Sequence, residues 1–176
     1  QEQKILIHHI EKNELKPTKL INTHCHLDHI YGNKFIADEF QVELGIHEKE
    51  LPILERAAIG ARMFGAKIPE ACAPSYFLDE KDIITLGEIN FKILFTPGHS
   101  PGSICFYNET ENYAIVGDVL FQGSIGRTDL PGGDYDTLIK SIKTKLMTLP
   151  DNTIIYNGHG ISTSIGDERK HNPFLR

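Results

Sequence analysis

The sequence of 176 residues has few cysteines, no long apolar run and no cluster of basic residues. Its three cysteines, Cys25, Cys72 and Cys105, are widely spaced and form no CxxC pair, which excludes a disulfide scaffold and a cysteine-rich zinc finger. We therefore expect free thiols in a reducing compartment. No apolar run approaches the roughly 20 residues that a membrane-spanning helix needs, and residues 1–15 lack the features of a signal peptide. These absences predict a cytoplasmic protein with no membrane partner.

The distribution of charge predicts that the chain has no nucleic-acid partner. The formal net charge is −6, and the 18 basic residues are scattered along the chain instead of forming one stripe. A field of this sign does not attract a phosphate backbone. A chain of 176 residues fits one domain, and no residue pattern indicates an oligomeric state.

Hydrophobic periodicity predicts helices mixed with strands. Apolar residues three or four apart predict helices at Gln3–Leu15, through Phe35 and Ile36, at Lys49–Met63 and at Asp134–Leu149. Short apolar or alternating runs predict strands at Lys19–Thr23, Val42–Ile46, Ser103–Tyr107, Tyr113–Gly117 and Thr153–Asn157. From Asp82 onward the period is two, and a strand with Ile89, Phe91, Ile93 and Phe95 on one face is predicted after a turn at Gly87. Residues 65–76 show no clear pattern, and residues 123–134 predict an ordered loop. This order indicates a sheet-based α/β domain with helices on its outer faces.

Histidine is the residue type in excess, with nine in the chain. Four predicted strands run into short segments rich in His, Gly and Asp, where functional side chains tend to collect. These segments are Thr23-His-Cys-His-Leu-Asp-His29, Thr96-Pro-Gly-His-Ser-Pro-Gly102, Gly117-Asp118 and Gly158-His-Gly160. The other four histidines are interpreted as ordinary surface or core residues: His8, His9, His47 and His171.

The first segment has the spacing of a metal chelate. His24 and His26 lie two apart on one side of an extended chain and can hold one ion, while Cys25 points the other way. Asp28 and His29 follow where the chain turns into a helix, and they can hold a second ion nearby. Imidazole and carboxylate suit zinc, iron and manganese. We therefore predict two divalent metal ions, with zinc favoured.

The remaining segments supply the other candidate ligands, His99, Asp118 and His159. Asp118 ends a strand after a glycine and is a candidate bridge between the two ions. Two cations about 3.5–4 Å apart would hold a bridging water as hydroxide and polarise a carbonyl, as hydrolysis requires. From the residues alone, Asp118 could also be a helix cap, and His99 and His159 could be turn residues.

Taken in order, these motifs resemble the metallo-β-lactamase superfamily and, within it, the glyoxalase II-like hydrolases. The resemblance rests on the four segments above and on Gly126-Arg-Thr-Asp129, and it covers nearly the whole chain. It implies an α/β fold of four layers, an αβ/βα sandwich, with a dinuclear site between two sheets. The matching positions imply the following ligands: His24, His26 and His99 for the first metal, Asp28, His29 and His159 for the second, and Asp118 as the bridge.

The resemblance also implies the reaction. An aspartate at the bridging position, where many β-lactamases have cysteine, favours the thioesterase-like branch. The implied substrate is a small-molecule thioester such as S-D-lactoylglutathione, attacked by a metal-bridging hydroxide, with Asp28 and Asp118 as the catalytic residues. Residues 165–174 resemble the end of the compact bacterial members, which lack the helical glutathione-binding extension.

Two other functions stay open. A persulfide dioxygenase with a single iron has a similar first segment and a similar Gly-Arg-Thr-Asp loop, but Pro101-Gly102 and Gly158-His-Gly160 look more hydrolase-like. A non-catalytic metal-binding module is the alternative from a different class. Against that module, a structural zinc site is closed by four ligands, whereas seven ligands for two ions leave open positions.

Three further expectations complete the interpretation. Arg127 can either pair with Asp129 or meet an anionic substrate, and we favour the structural role. Tyr31 is a weaker substrate candidate.

Relatives of this type usually begin with a strand hairpin that is absent here, so we expect residues 1–176 to form one domain that is truncated or incomplete at its N-terminus. A sheet without those strands would expose an edge and an apolar face.

Overall fold

A computed structural model describes residues 2–63 and 72–176, and over these residues the chain forms short helices and short strands. The helices are α1 (Glu2–Lys12), α2 (Leu27–Ile30), α3 (Asn33–Phe40), α4 (Leu51–Met63), α5 (Tyr135–Ser141) and α6 (Ile165–His171). The strands are β1 (Leu20–Ile21), β2 (Leu44–Ile46), β3 (Tyr76–Phe77), β4 (Ile83–Leu86), β5 (Ile89–Phe95), β6 (Ile104–Asn108), β7 (Tyr113–Gly117), β8 (Leu120–Phe121), β9 (Ser124–Ile125), β10 (Ile154–Asn157) and β11 (Thr163–Ser164). None of the described helices is long and apolar enough to cross a membrane.

Two main sheets and one small hairpin organise these strands. Strands β1, β2 and β3 form a parallel three-stranded sheet. A six-stranded sheet has the order β11-β10-β7-β6-β5-β4. In this larger sheet β7 and β10 run parallel, whereas the pairs from β4 to β7 are antiparallel. Strands β8 and β9 form a separate hairpin.

Alternate residues of the central strands face two different apolar clusters. Phe91 and Ile93 of β5 pack in one cluster with Phe106 of β6, and Ile21 of the small sheet contacts it. The neighbouring residue Cys105 faces the opposite side, in a cluster that contains residues of α5 and α6. This period of two places one apolar layer between the sheets and a second beneath the C-terminal helices.

A third apolar cluster covers the outer face of the small sheet. Ile53 and Leu54 of α4 pack there against Leu44 and Ile46 of β2. Cys25 lies in the same cluster and is fully buried, so its side chain points away from the neighbouring histidines, as the alternation predicts. The layers therefore follow the order helix, sheet, sheet, helix, which confirms the predicted four-layer α/β sandwich.

Several short elements were not predicted from the sequence. Strands β3, β9 and β11 have two residues each, too short to show a period of two. Strand β9 lies inside the segment predicted as a loop. Helix α6 has one buried apolar residue, Ile165, and it begins where the Ser164 hydroxyl accepts a hydrogen bond from the Asp167 amide. Of the patternless stretch 65–76, residues 65–71 lie outside the described residues.

The helix predicted over 134–149 is present from Tyr135 to Leu146, but its second half is not α-helical. Asp134 caps α5 by accepting a hydrogen bond from the Thr137 amide, but Ile142–Leu146 form a π-helical turn. The Thr144 hydroxyl donates to the Lys140 carbonyl at 2.8 Å, and the Met147 amide reaches back to Ile142. Such bonding from a threonine side chain competes with the α-helical pattern, so the helix widens locally.

Candidate metal centre

The candidate ligands meet where strands from the two sheets end side by side. The Thr23 carbonyl, after β1, accepts a hydrogen bond from the Ile104 amide of the large sheet at 2.9 Å. The parallel strands β7 and β10 end together, and the Gly158 amide donates to the Gly117 carbonyl at 2.9 Å. Gly117 has a φ of +51°, and a Cβ there would lie 2.5 Å from the Thr23 hydroxyl oxygen. This glycine therefore allows the segments that carry the ligands to approach closely.

Helix α5 holds the segment that carries His99. The Asp134 amide donates to the Gly98 carbonyl at 2.8 Å, and the Ser141 hydroxyl donates to the Pro97 carbonyl at 2.7 Å. Both bonds end on backbone oxygens within two residues of His99. The apolar cluster beneath α5 thus fixes the position of this loop.

His24, His26 and His99 form a group of imidazoles whose ring nitrogens converge. His26 Nδ1 lies 2.9 Å from His99 Nε2, which lies 3.2 Å from His24 Nε2. His24 is 1% exposed and His99 is 2% exposed. A neutral imidazole carries one N–H, so three converging nitrogens cannot all be satisfied by hydrogen bonds among themselves. The arrangement suits a cation at their centre.

Asp28, His29 and His159 form a second group nearer to solvent. His159 Nε2 lies 3.0 Å from Asp28 Oδ2, and His29 Nε2 lies 3.4 Å from the same oxygen. The side chains of Asp28 and His159 are more than half exposed. This group is therefore open on one side, where a substrate could enter.

Asp118 lies between the two groups. Its Oδ1 is 3.4 Å from His29 Nε2, and its Oδ2 is 3.4 Å from His159 Nε2 and 3.8 Å from His99 Nε2. The structure thus brings together all seven side chains that the sequence singles out, in two triads with Asp118 in contact with both. Their roles as metal ligands stay a prediction.

Two buried polar atoms at this junction have no hydrogen-bond partner. They are His29 Nε2 and Asp118 Oδ1, which face each other at 3.4 Å. A buried polar atom left without a partner costs about 1–3 kcal/mol. A divalent cation would satisfy both atoms, and the donor set of imidazole and carboxylate is one that zinc, iron and manganese accept. The residues present therefore fit a pair of divalent ions.

Burial keeps the imidazoles of the inner triad neutral. It lowers the pKa of His24 and of His99, and it lowers the pKa of His26 to about 4. For His29 burial acts in the same direction, but the Asp118 and Asp28 carboxylates outweigh it and raise the pKa. For Asp118 burial acts to raise the pKa, but the adjacent histidines outweigh it and lower the pKa. Neutral imidazole and ionised carboxylate are the forms that bind a metal.

Hydrogen bonds on the far side of two rings orient them. His99 Nδ1 lies 2.8 Å from the Arg127 carbonyl oxygen, so the proton is assigned to Nδ1 and the Nε2 lone pair faces the other histidines. His24 Nδ1 lies 3.2 Å from the Thr23 hydroxyl. The carbonyl contact selects the His99 tautomer in which Nε2 is free to bind a cation, and the hydroxyl contact is compatible with the same tautomer of His24.

Asn22 supports the short helix that carries Asp28 and His29. Its side-chain amide donates to the His29 carbonyl at 2.9 Å, at the end of α2. Its own carbonyl oxygen accepts from the Asn33 amide group at 2.7 Å, and both asparagines are buried. This pair joins the segments before and after α2 and so fixes the helix in place.

The two substrate candidates from the sequence lie at the edge of the site. The Arg127 guanidinium donates two hydrogen bonds to the Asp129 carboxylate, each at 2.7 Å. This is the pairing that we favoured, and the part of Arg127 that touches the histidines is its carbonyl. Tyr31 directly follows α2 as its C-cap and is 51% exposed. Roles in substrate binding stay predictions for both residues.

A cleft of about 330 Å³ opens beside His26 and Asp28. The residues that line it are mostly apolar: Cys25, His26, Leu27, Asp28, Ile53, Arg56, Ala57, Leu130 and Pro131. Arg56 forms no ion pair with a carboxylate of the described residues. The sequence did not identify Arg56, because a single arginine on a predicted amphipathic helix is indistinguishable from a solvated surface residue.

We expect the metal-free protein to lose stability as the pH falls. The pKa of His26 is 6.5 in the unfolded chain and about 4 after folding. Between these two pH values the unfolded chain binds more protons than the folded chain. Lowering the pH therefore lowers the free energy of the unfolded chain relative to that of the folded chain. The contribution of neutral His26 to the free energy of unfolding is complete above pH 6.5 and decreases below it. Urea-unfolding midpoints of the metal-free protein across this range test the prediction.

The control for this pH dependence is His171, which lies away from the cluster. A His26→Gln variant should show a shallower dependence of the midpoint on pH, whereas His171→Gln should keep the slope of the parent chain. A parent midpoint that stays constant between pH 6.5 and 4 would contradict the expectation.

Comparison with known proteins places this geometry in a family. The sequence model of the metallo-beta-lactamase superfamily matches residues 1–159. Hydroxyacylglutathione hydrolase GloC of Haemophilus influenzae is 46% identical over 172 residues, which are 97% of this chain and 81% of that protein. "Probable metallo-hydrolase YqgX" of Bacillus subtilis is 39% identical over 168 residues, 95% of this chain and 80% of that protein.

Solved structures are similar over nearly the whole chain. The BLEG-1 B3 metallo-beta-lactamase superposes with a TM-score of 0.90 at 41% identity, covering 98% of this chain and 84% of that one. TTHA1623 in a di-iron-bound form has a TM-score of 0.88 at 36% identity, covering 99% and 85%. ETHE1 from Myxococcus xanthus has a TM-score of 0.78 at 27% identity, covering 97% and 68%.

Proposed function

Because the chain belongs to the metallo-β-lactamase superfamily, a family of metallo-hydrolases that bind divalent metals, we propose that it hydrolyses thioesters with two such ions. The observation that carries the proposal is the position of Asp118, whose carboxylate lies 3.4 Å from His29 and His159 of the second triad and 3.8 Å from His99 of the first. The similarity to a hydroxyacylglutathione hydrolase, at 46% identity, supports a thioester as the substrate.

We assign each triad to one ion. His24, His26 and His99 would hold the first, Asp28, His29 and His159 the second, and Asp118 would bind both. We propose zinc, with iron and manganese as the alternatives that the same donors accept. When bound, such a pair of ions lowers the pKa of a water to near neutrality and polarises an electrophilic carbonyl.

The protein side chains position the reactants. Asp28 is half exposed at the open side of the site, and its Oδ2 lies 3.0 Å from His159 Nε2. There its carboxylate can accept a hydrogen bond from the attacking water and direct the oxygen lone pair toward the carbonyl carbon. Asp118 is largely buried, and its lowered pKa keeps it ionised. Asp28 and Asp118 are therefore the proposed catalytic residues.

The cleft beside His26 and Asp28 is the proposed site for the apolar part of the substrate. Leu27, Ile53 and Pro131 give it an apolar wall next to the candidate ligands. Arg56 lines the same cleft as a cation without a carboxylate partner among the described residues. This combination fits a thioester that carries a carboxylate at some distance from the reacting carbonyl.

The Arg56→Ala variant should raise KM for a thioester that carries a carboxylate. Because the guanidinium is exposed, its attraction is modest and we expect an increase of about threefold to fivefold with kcat unchanged. A neutral thioester, N,S-diacetylcysteamine, serves as the control, and its KM should not change. An equal effect on both substrates would show that Arg56 does not recognise charge.

Thiol release from purified protein tests the proposed function. The protein is loaded with zinc, iron or manganese, its metal content is measured, and it is supplied with S-D-lactoylglutathione and simpler thioesters. We expect two ions per chain and hydrolysis that a chelator abolishes and added metal restores. Two bound ions with no hydrolysis of any thioester would contradict the proposed reaction.

A persulfide dioxygenase is the second candidate, since ETHE1 is a structural neighbour at 27% identity. It differs in metal content and in its co-substrate. One iron per chain, with oxygen consumption on glutathione persulfide, would favour it over hydrolysis. Metal binding without turnover of either substrate would instead favour a non-catalytic metal-binding module. A cytoplasmic location and the absence of nucleic-acid and membrane partners stay predictions.

A further inference from the structure

Glu50 is a completely buried carboxylate next to the metal centre, at the end of the short helical turn before α4. We propose that it is a positioning residue that holds the loop carrying His24 and His26 against the loop carrying His99. This inference rests on the proposed metal centre. It assigns a role to a residue that is not itself a candidate ligand.

The two oxygens of Glu50 bond to different loops. Oε2 accepts a hydrogen bond from the Cys25 amide at 2.7 Å. Oε1 accepts one from the Ser100 hydroxyl at 2.5 Å and one from the Gly102 amide at 2.6 Å. Cys25 lies between His24 and His26, and Ser100 directly follows His99. One rigid carboxylate therefore fixes the separation of the backbones that present the inner triad.

Only a carboxylate fits these three donors. An ionised carboxyl group has acceptor positions alone, whereas an amide of the same size would present two N–H donors on one side. If the side-chain NH2 group faced Cys25, it would oppose the backbone N–H of Cys25. If the side-chain amide were flipped, the NH2 group would oppose the backbone N–H of Gly102. The fit is also tight in space, because a Cβ on Gly102 would lie 2.8 Å from Glu50 Cγ.

Glu50 has no cation to compensate its burial. Among the described residues no lysine, arginine or histidine forms an ion pair with it. Its negative charge is balanced by the three hydrogen bonds alone, and all three lead to residues adjacent to candidate ligands or within the same loop. Burial raises the pKa of Glu50, and hydrogen bonds that set the geometry of the inner triad offset part of this effect.

Glu168 provides a matched control in the same chain. It is also buried, at 2% exposure, and it accepts hydrogen bonds from the Thr163 hydroxyl at 2.6 Å, the Gly123 amide at 2.9 Å and the Asn172 side chain at 2.7 Å. These bonds join α6 to β11 and to the turn between β8 and β9. None of them ends on a residue next to a candidate ligand.

The test compares Glu50→Gln with Glu168→Gln. Glu50→Gln should lower the unfolding midpoint of the metal-free protein, because either orientation of the new amide opposes a buried backbone N–H. Glu168→Gln should lower it less, because the Thr163 hydroxyl can turn to accept from the new amide. Only Glu50→Gln should weaken zinc binding, measured by competition with a chelator. The expected loss is on the order of 10–100-fold, as found for residues that support metal ligands. With cobalt in place of zinc, Glu50→Gln should also change the visible absorption spectrum of the metal.

A milder pair of variants covers the case in which Glu50→Gln does not fold. Ser100→Ala removes one donor to Glu50, and Thr163→Ala removes the equivalent donor to Glu168. Ser100→Ala should weaken zinc binding by a smaller factor, and Thr163→Ala should leave it unchanged. An unchanged zinc affinity and cobalt spectrum in a folded Glu50→Gln or Ser100→Ala protein would overturn the inference. It would also be overturned if Glu168→Gln and Thr163→Ala lost as much zinc affinity as the Glu50→Gln and Ser100→Ala variants. A parent chain that binds no metal would contradict the proposed function. A parent chain that binds metal, with variants that bind it equally well, would contradict only the role of Glu50.

Discussion

A Gly158→Ala substitution is expected to abolish most of the metal-dependent hydrolysis, although Gly158 has no ligand atom. A Cβ at this position would lie 2.2 Å from Asp118 Oδ1 and 2.8 Å from His29 Cε1. Both contacts are far inside van der Waals distance, so the new methyl group must displace the two side chains that join the triads. We expect kcat/KM to fall by at least about 100-fold, the upper range for changes beside a metal ligand.

The fold should survive this substitution. The φ of Gly158 is not in the left-handed region, and alanine keeps the amide that donates to the Gly117 carbonyl. Gly32→Ala is the control, because a Cβ there would meet no atom within 4 Å and the φ of −89° suits any residue. We expect Gly32→Ala to retain two ions and full activity. Two bound ions and full activity in Gly158→Ala would contradict the proposed arrangement of Asp118 and His29.

The Asp118→Asn variant is expected to lose metal and activity together. The carboxylate lies within 3.8 Å of three histidines and carries the negative charge at the junction of the triads. The amide has nearly the same size, so the packing is kept while the charge and one acceptor oxygen are removed. We expect fewer than two ions per chain and a fall in kcat/KM of at least about 100-fold.

Asp38→Asn is the matched control for the loss of a carboxylate. Asp38 is exposed on α3 and pairs with Lys34, four residues earlier on the same helix. Such surface pairs contribute at most about 1 kcal/mol, so this variant should keep its metal content, its activity and nearly all its stability. The prediction is tested by measuring the metal content and the rate of thiol release of the Asp118→Asn and Asp38→Asn proteins. Full metal content and activity in Asp118→Asn would show that Asp118 does not bridge the ions.

The position of the site was predictable because its residues follow strands. The two-residue spacing of His24 and His26, and the placement of Asp118 and His159 after predicted strands, already indicated side chains that meet at one edge. In the structure β7 and β10 are parallel neighbours, so their ends coincide and place Asp118 beside His159. The spacing of the histidines and the tendency of functional side chains to follow strand ends were sufficient to predict where the candidate ligands meet.

The supporting residues could not be predicted, because their roles depend on contacts between distant segments. Glu50 lies in Glu48-Lys-Glu50, where an acidic residue is ordinary in a first helical turn, and nothing local marks it as buried. Arg127 was correctly expected to pair with Asp129, but the contact of its carbonyl with His99 joins residues 28 apart. The π-helical turn contains a hydrogen bond from the Thr144 hydroxyl to the Lys140 carbonyl, which the spacing of apolar residues does not reveal.

The candidate ligands are distributed from His24 to His159, and this wide spacing couples metal binding to folding. The unfolded chain can offer an ion only the short segment His24–His29, whereas the complete set exists only after both sheets have formed. An ion that binds the folded chain alone, present at 100 times its dissociation constant, would raise the free energy of unfolding by about 2.7 kcal/mol. Metal supply would then set the equilibrium fraction of copies of the chain that is folded.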